Sequence, residues 1–333
     1  MKRIISISLF LLICVYQVTS QLAFGQSTEQ SIKLSTELVV LDAQIINKKT
    51  GVSIADLKKE EVTIYEDGVK QEITHFSQDL LPLSILIVID TSGSVWDIIK
   101  EMGDETIEAL NQLKESDEVA VMGTASRTEL IQGFTTDRKL IGERIQAIDK
   151  KSLGRDGILL HEALYQAALL FKNASNPASR RVILVVSDNL STQKLGQGHS
   201  EKEALNEIYE SGSVVCGINV SSLNETILKL DPFFYAMKPF LFRGDIKKYA
   251  EKTGGIVSKT GKKEISEKLA TLINQLRNRY AIGYVSTNTQ KDGKYRKIKL
   301  QLSPDVEKRE GQVGIVTRKG YYASKAKDIS TLK

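Results

Sequence analysis

Apolar residues along this chain fall into distinct rhythms, each confined to its own stretch. Leu83 to Ile89, Val119 to Val121 and Val182 to Val186 are continuous apolar runs, the pattern of strands covered on both faces. Between them the spacing is helical. Val95 to Lys114 shows it best, with Val95, Ile98, Ile99, Met102, Ala109, Leu110 and Leu113 on one stripe and Lys100, Glu101, Glu108 and Lys114 elsewhere. Further helices are expected at about 137–150, 158–172, 201–211, 245–253 and 263–278. Strands and helices in alternation predict an α/β fold, a doubly wound and mostly parallel sheet.

The two ends of the chain read differently. Residues 37–46 are dense in Val, Leu and Ile, and two short runs within 61–76 flank Asp67-Gly68, a hairpin signal. Near the other end Tyr280 to Val285 is followed by Asp292-Gly293, and then Ile298, Leu300 and Leu302 alternate with Lys297, Lys299 and Gln301. That reads as a second hairpin with one wet face, and a third run follows at 313–317. The expected organisation is an N-terminal β segment at 26–80, an α/β domain at 81–277, a C-terminal β segment at 278–323 and a polar tail at 324–333. The two β segments are expected to form an adjoining β-sandwich-like domain.

Residues 1–25 read as targeting rather than fold: Lys2-Arg3, an apolar run from Ile4 to Tyr16, then small residues. Cleavage after Ser20 or after Gly25 fits, the latter preferred because Gln26 opens a polar stretch; a retained anchor over 4–24 is the alternative, weakened by Gln17, Thr19, Ser20 and Gln21. The chain is therefore expected to be exported, periplasmic or extracellular, with no membrane span after cleavage. Cys216 would then be the sole cysteine, leaving no internal disulfide, and its apolar surroundings read as a buried thiol.

With 41% hydrophobic and 26% charged residues, the composition excludes disordered, collagen-like and polytopic membrane classes. Lys and Arg number 46 against 41 Asp and Glu, a net charge of +5 that is too weak to argue for nucleic acid.

The sharpest chemical feature is Asp90-Thr91-Ser92-Gly93-Ser94, where the first buried strand ends. Ligands collect outside the carboxyl ends of the strands in an open α/β sheet, and a carboxylate with hydroxyls on one tight turn suits Mg²⁺, Mn²⁺ or Ca²⁺. Asp188 reaches the same edge if its strand lies beside the first. The alternative is that Asp90 and Ser92 only cap the following helix.

LSILIVIDTSGSV resembles the opening strand and metal-ion-dependent adhesion motif of a von Willebrand factor type A domain. Asp117 to Thr124, Phe134 to Asp137, Val182 to Asn189 and Val214 to Val220 are similar to its later strands and turns. Outside that domain, Glu66-Asp67-Gly68-Val69-Lys70-Gln71-Glu72-Ile73 and Arg318-Lys319-Gly320-Tyr321-Tyr322 resemble the VWFA-related family known from Acidobacteria and other bacteria. The resemblance implies a divalent ion held by Asp90, Ser92, Ser94 and Asp188, completing its coordination with an acidic residue of a protein partner. One ligand departs from the pattern: where the family has Gly-Gly-Thr, this chain has Asp156-Gly157-Ile158, and Ile158 offers no oxygen. Asp156 is the candidate to compensate, directly or through water.

The function expected is that of an exported, non-enzymatic protein-binding module; the alternatives are a metal-free envelope scaffold and a metal-assisted hydrolase. A hydrolase on Ser92, His199 and Asp188 lacks a Gly-x-Ser-x-Gly elbow, and His199 reads as part of a flexible loop. His75 and His161 have no neighbours at ligand spacing, and Thr253-Gly254-Gly255 reads as a helix C-cap. The 220–244 loop carries Phe233, Phe234, Tyr235, Phe240 and Phe242, read as a satellite core or a contact surface; Trp96 borders the site or packs.

Overall fold

A computed structural model describes residues 38–50, 52–78, 81–93, 95, 107–148, 157–177, 179–191, 193, 196–220, 233, 244–261 and 264–324. The first strands are β1 (Leu38–Asn47), β2 (Val62–Glu66), β3 (Val69–Gln71) and β4 (Ile73–Ser77). Asp67 and Gly68 join β2 to β3 with φ of 48° and 86°, the left-handed pair that a two-residue hairpin turn demands.

The central layer holds β5 (Leu83–Asp90), β6 (Glu118–Thr124), β7 (Thr128–Thr135), α1 (Arg138–Gln146), α2 (Leu160–Leu170) and β8 (Arg180–Ser187). It continues with α3 (Glu201–Ser211), β9 (Val214–Val220), α4 (Ile246–Thr253), β10 (Val257–Thr260) and α5 (Ile265–Arg277). Of the helix expected over Val95 to Lys114, residues 107–110 are helical and the chain turns at Asn111; residues 96–106 lie outside the described residues. The six strands run in the order β10-β9-β8-β5-β6-β7, all parallel except β7, which pairs antiparallel with β6. Every residue of β5, β6, β8 and β9 is buried, save Arg181, because helices cover both faces. One apolar layer packs Ile85, Ile87, Leu184 and Ile218 against α1 and α5; the other packs Leu86, Val88, Ile183 and Val215 against α2, α3 and α4.

The chain closes with β11 (Tyr280–Val285), β12 (Tyr295–Leu302), α6 (Pro304–Glu310), β13 (Val313–Val316) and β14 (Gly320–Tyr322). Two antiparallel sheets result, β13-β1-β11-β4 and β14-β12-β2-β3, each built from both ends of the chain around one shared apolar core. The hairpin expected between Tyr280–Val285 and the alternating run is not formed. β11 pairs with β1 and β4, whereas β12 pairs with β2 and β14, so the segment through Asp292-Gly293 crosses from one sheet to the other. Alternation marks which face of β12 is wet, and Tyr295, Lys297 and Lys299 are indeed exposed, but it is silent on the neighbouring strand. Helix α6 went unread although Ser303-Pro304-Asp305 places Pro at its first turn, a start signal.

Two buried polar networks tie these layers together. Glu66, 2% exposed, accepts hydrogen bonds from Tyr284 Oη at 2.7 Å, Ser286 Oγ at 2.6 Å and Tyr321 Oη at 3.0 Å, so one carboxylate of β2 joins both antiparallel sheets. Burial, and then the Glu66 carboxylate, hold the Tyr284 phenol protonated far above its usual range. Glu66→Ala would strand three buried hydroxyls and is expected to cost about 3 kcal/mol, read as a lower urea midpoint; an unchanged midpoint would refute the bridge. The second network centres on Asp42 of β1, which meets Arg279 Nη1 at 2.7 Å and Arg180 Nε at 2.9 Å, the latter off the hydrogen-bond direction. Arg279 is fully buried and also donates to Gly254 O, while Arg180 donates to Leu276 O.

Candidate metal centre

Strand β5 ends on Asp90 and β8 on Ser187, and their register sets the two carboxyl ends side by side. With β6 on the other flank of β5, this is the point where the strand order diverges and a crevice opens above the sheet. Along β5, Leu86 and Val88 face the α2 layer, so the period of two directs Asp90 to that same side. Asp90 is fully buried, and Ser92 and Asp188 are 3% and 1% exposed beneath a turn whose Gly93 is exposed.

The Asp90 carboxylate is held at both oxygens. Oδ1 accepts the Ser92 N–H at 2.9 Å, and Oδ2 accepts Ser187 Oγ–H at 2.6 Å. Ser187 Oγ in turn accepts the Asn189 N–H at 2.9 Å. The following turn is anchored to β6, since Thr91 N–H donates to Thr124 O at 2.9 Å. Asp188 accepts the Leu190 N–H on Oδ1 at 3.2 Å, whereas its Oδ2 is buried with no hydrogen-bond partner among the described residues. Burial, joined by the neighbouring negative charge of Asp188, pushes the Asp90 carboxyl up to about 7, against the opposing pull of the Ser187 and Ser92 hydrogen bonds.

This arrangement fits a hard divalent cation. A buried carboxylate oxygen without a donor is costly, and a second carboxylate close enough to perturb it adds repulsion; a cation relieves both at once. The oxygen-only donor set suits Mg²⁺, Mn²⁺ or Ca²⁺ rather than softer metals. Among the described residues no group of three or more His, Cys, Asp or Glu side chains gathers, so of these residues an ion here would draw on two carboxylates and on hydroxyls. Ser94 and Asp156 lie outside the described residues.

Ile158 is fully buried in the apolar layer with α2, and its carbonyl accepts the Ser191 hydroxyl at 3.1 Å. Its side chain is thus part of the core. Ile158→Thr is expected to lower stability by about 2 kcal/mol, exchanging apolar contact for a buried hydroxyl, with no gain in Mn²⁺ affinity. Paired thermal melts and calorimetric titrations check this, and tighter Mn²⁺ binding would contradict it.

Sequence reasoning passed over Ser187 and Asn189. Asn189 sits at φ 61°, donates through Nδ2 to Asp245 Oδ1 at 2.9 Å and accepts the Ile246 N–H at 3.0 Å, pinning the start of α4 beside the site. The only available signal was their adjacency to Asp188. His199 is not in a loose loop as expected: it stacks on Tyr165 at 3.5 Å and its Nδ1 meets Glu162 Oε2 at 2.6 Å, because α2 supplies both partners. His161 meets Tyr249 Oη at 2.7 Å, His75 lies on β4 near Ser77, and Gly254 caps α4 at φ 83°. Cys216 is buried, which raises its thiol pKa. Phe233 is 68% exposed; the other aromatic residues of 220–244, and Trp96, lie outside the described residues.

Comparison with known proteins places this centre in context. Residues 85–191, which contain every described residue of the site, match the von Willebrand factor type A domain. Among solved structures, BatB of Bacteroides thetaiotaomicron is similar at 16% identity and a TM-score of 0.40, over 58% of this chain and 99% of that one. The PilB minor pilin of Streptococcus sanguinis is similar at 13% identity and a TM-score of 0.42, over 61% and 63% of the two chains. The vWF domain of the pilus tip protein Mfa5 from Porphyromonas gingivalis follows at 12% identity and 0.40, over 59% and 96%. No curated protein matches the chain. Residues 85–191, about a third of the chain, thus carry both the match to the von Willebrand factor type A domain and the Asp-x-Ser turn at the end of β5.

Proposed function

We propose that this chain is an exported, non-enzymatic module that binds a protein partner through a divalent ion held by Asp90, Ser92, Ser94 and Asp188. The observation that carries the reading is the buried Asp188 Oδ2 without a hydrogen-bond donor among the described residues, beside an Asp90 carboxyl whose pKa is raised. Two carboxylates leave a dication with residual appetite for oxygen, which an acidic side chain of the partner would meet. Export rests on the charged start and apolar run of residues 1–25. The hydrolase constellation of Ser92, His199 and Asp188 is not the pairing that His199 makes, since its Nδ1 meets Glu162 rather than Asp188. The second reading, a metal-free envelope scaffold, draws on the core position of Ile158. Calorimetric titration of the full chain with Mn²⁺ decides between them. One saturable site, lost in Asp188→Ala with the melting temperature retained, supports the adhesion reading; no saturable binding overturns it in favour of the scaffold.

A further inference from the structure

Where the α/β layer meets the antiparallel sheets, α3 and α4 face β12 and β14 across a cleft that owes nothing to the metal centre. Two cavities make it up, of about 670 Å³ and about 470 Å³, sharing Tyr209 and Tyr322 as a common wall. The tyrosines form a connected row: Tyr322 lies 6.0 Å from Tyr209 and 5.2 Å, edge-on, from Tyr295, ring centroid to ring centroid. Arg318 lines the larger cavity, held by donating to Val40 O at 2.8 Å and lying 5.7 Å over the Tyr321 ring.

The charges of this cleft are unbalanced. Lys248 and Lys252 are each satisfied by Glu201 at 2.8 Å, and Glu251 faces Lys247. Arg318, Lys297 and Lys319 line the cavities without an ion-pair partner among the described residues, against Glu210 on the opposite wall. The excess continues onto the outer face of the sheet, where Lys297 and Lys299 follow Tyr295 on the same face of β12, Lys299 stands opposite Tyr65, and Tyr65 opposite Lys70.

We infer that this cleft binds an acidic polysaccharide, a chain of sugars bearing carboxylates. Tyrosine offers a flat apolar ring with a polar tip, matched to the C–H face and hydroxyls of a pyranose. Arginine and lysine supply the counter-charge, the guanidinium in a fork suited to carboxylate. A docked peptide helix would require aliphatic anchors, and among the described residues the lining supplies Leu38, Val39, Leu205 and Ala323, the rest of its apolar surface being tyrosine rings. The volumes fall within the range of ligand sites.

The test is affinity electrophoresis of the full chain through gels containing polygalacturonate, dextran or polyglutamate, with EDTA present throughout so that the divalent-ion site plays no part. Retardation by polygalacturonate and not by the other two is expected. The exposed double variant Lys297→Glu/Lys319→Glu should weaken it roughly tenfold, and Tyr295→Ala, at a residue 39% exposed, should weaken it with the melting temperature unchanged. Equal retardation by polyglutamate would overturn the proposal in favour of charge alone or an acidic peptide. Indifference to all these substitutions would overturn it outright.

Discussion

Asp90→Asn is expected to abolish Mn²⁺ binding while making the metal-free protein more stable at pH 8. In the folded chain the Asp90 carboxyl is pushed up to about 7, chiefly by burial and then by the Asp188 charge. The unfolded chain releases that proton near ~3.9. Because the folded state holds its proton more tightly, this group's contribution to stability is full below about pH 4 and is lost as pH rises through about 7. The difference corresponds to roughly 4 kcal/mol at pH 8, an upper figure since local water would soften it. Asparagine keeps the geometry. Its Oδ1 accepts from Ser92, and its Nδ2–H donates to Ser187 Oγ, which has a second lone pair beside the one taken by Asn189. Thermal melts in EDTA at pH 5 and pH 8 should therefore show wild type losing stability between the two and the variant losing much less. A variant that still binds Mn²⁺ with wild-type affinity would remove Asp90 from the site; melting curves with the same pH dependence in both proteins would remove the burden assigned to its charge.

Asp42→Ala should produce the other large effect. The Arg279 side chain is fully buried and that of Arg180 is 5% exposed, and Asp42 is the carboxylate that both meet. Removing it leaves two guanidinium charges in the interior with only carbonyl acceptors, a situation that costs about 3–5 kcal/mol. For a chain of this size the melting temperature should fall by about 10 °C. Asp42→Asn, which preserves the shape and one acceptor, should recover only part of the loss if charge is what matters. Equal stability of wild type and Asp42→Ala would show that solvent reaches the arginines. Since Asp42 lies on β1 and Arg180 opens β8, the same pair couples the antiparallel sheets to the α/β layer, so both should melt in one transition in wild type.

Local pattern and long-range pairing divide what was legible in advance. Continuous apolar runs identified β5, β6 and β8 because a strand covered on both faces has no polar side, and that property is carried by the segment itself. Helix α3 was legible to the residue: Ser200 and Glu203 form a capping box, and Gly212 closes the helix at φ 67°. The Asp67-Gly68 turn was legible for the same local reason. Asp90, Ser92 and Asp188 could be named from their places at strand ends, and the β5–β8 register then sets them at one edge.

The remainder depended on which segments meet. An alternating strand states its wet face but not its neighbour, so β11 and β12 read as a hairpin although each lies in a different sheet. Glu66 was visible in the sequence only as part of a turn motif; that it is buried beneath two tyrosines and a serine follows from the packing of two sheets drawn from opposite ends of the chain. Asp42, Arg180 and Arg279, 138 and 99 residues apart along the chain, compensate one another solely because tertiary packing buries the two arginines against the one carboxylate. Sequence by itself thus determined most of the elements and the sheet edge at which Asp90, Ser92 and Asp188 lie, since hydrophobic period and turn geometry are local. Strand partners, buried charge pairs and the tyrosine cleft were decided by tertiary structure, because each exists only when distant segments share one low-dielectric interior.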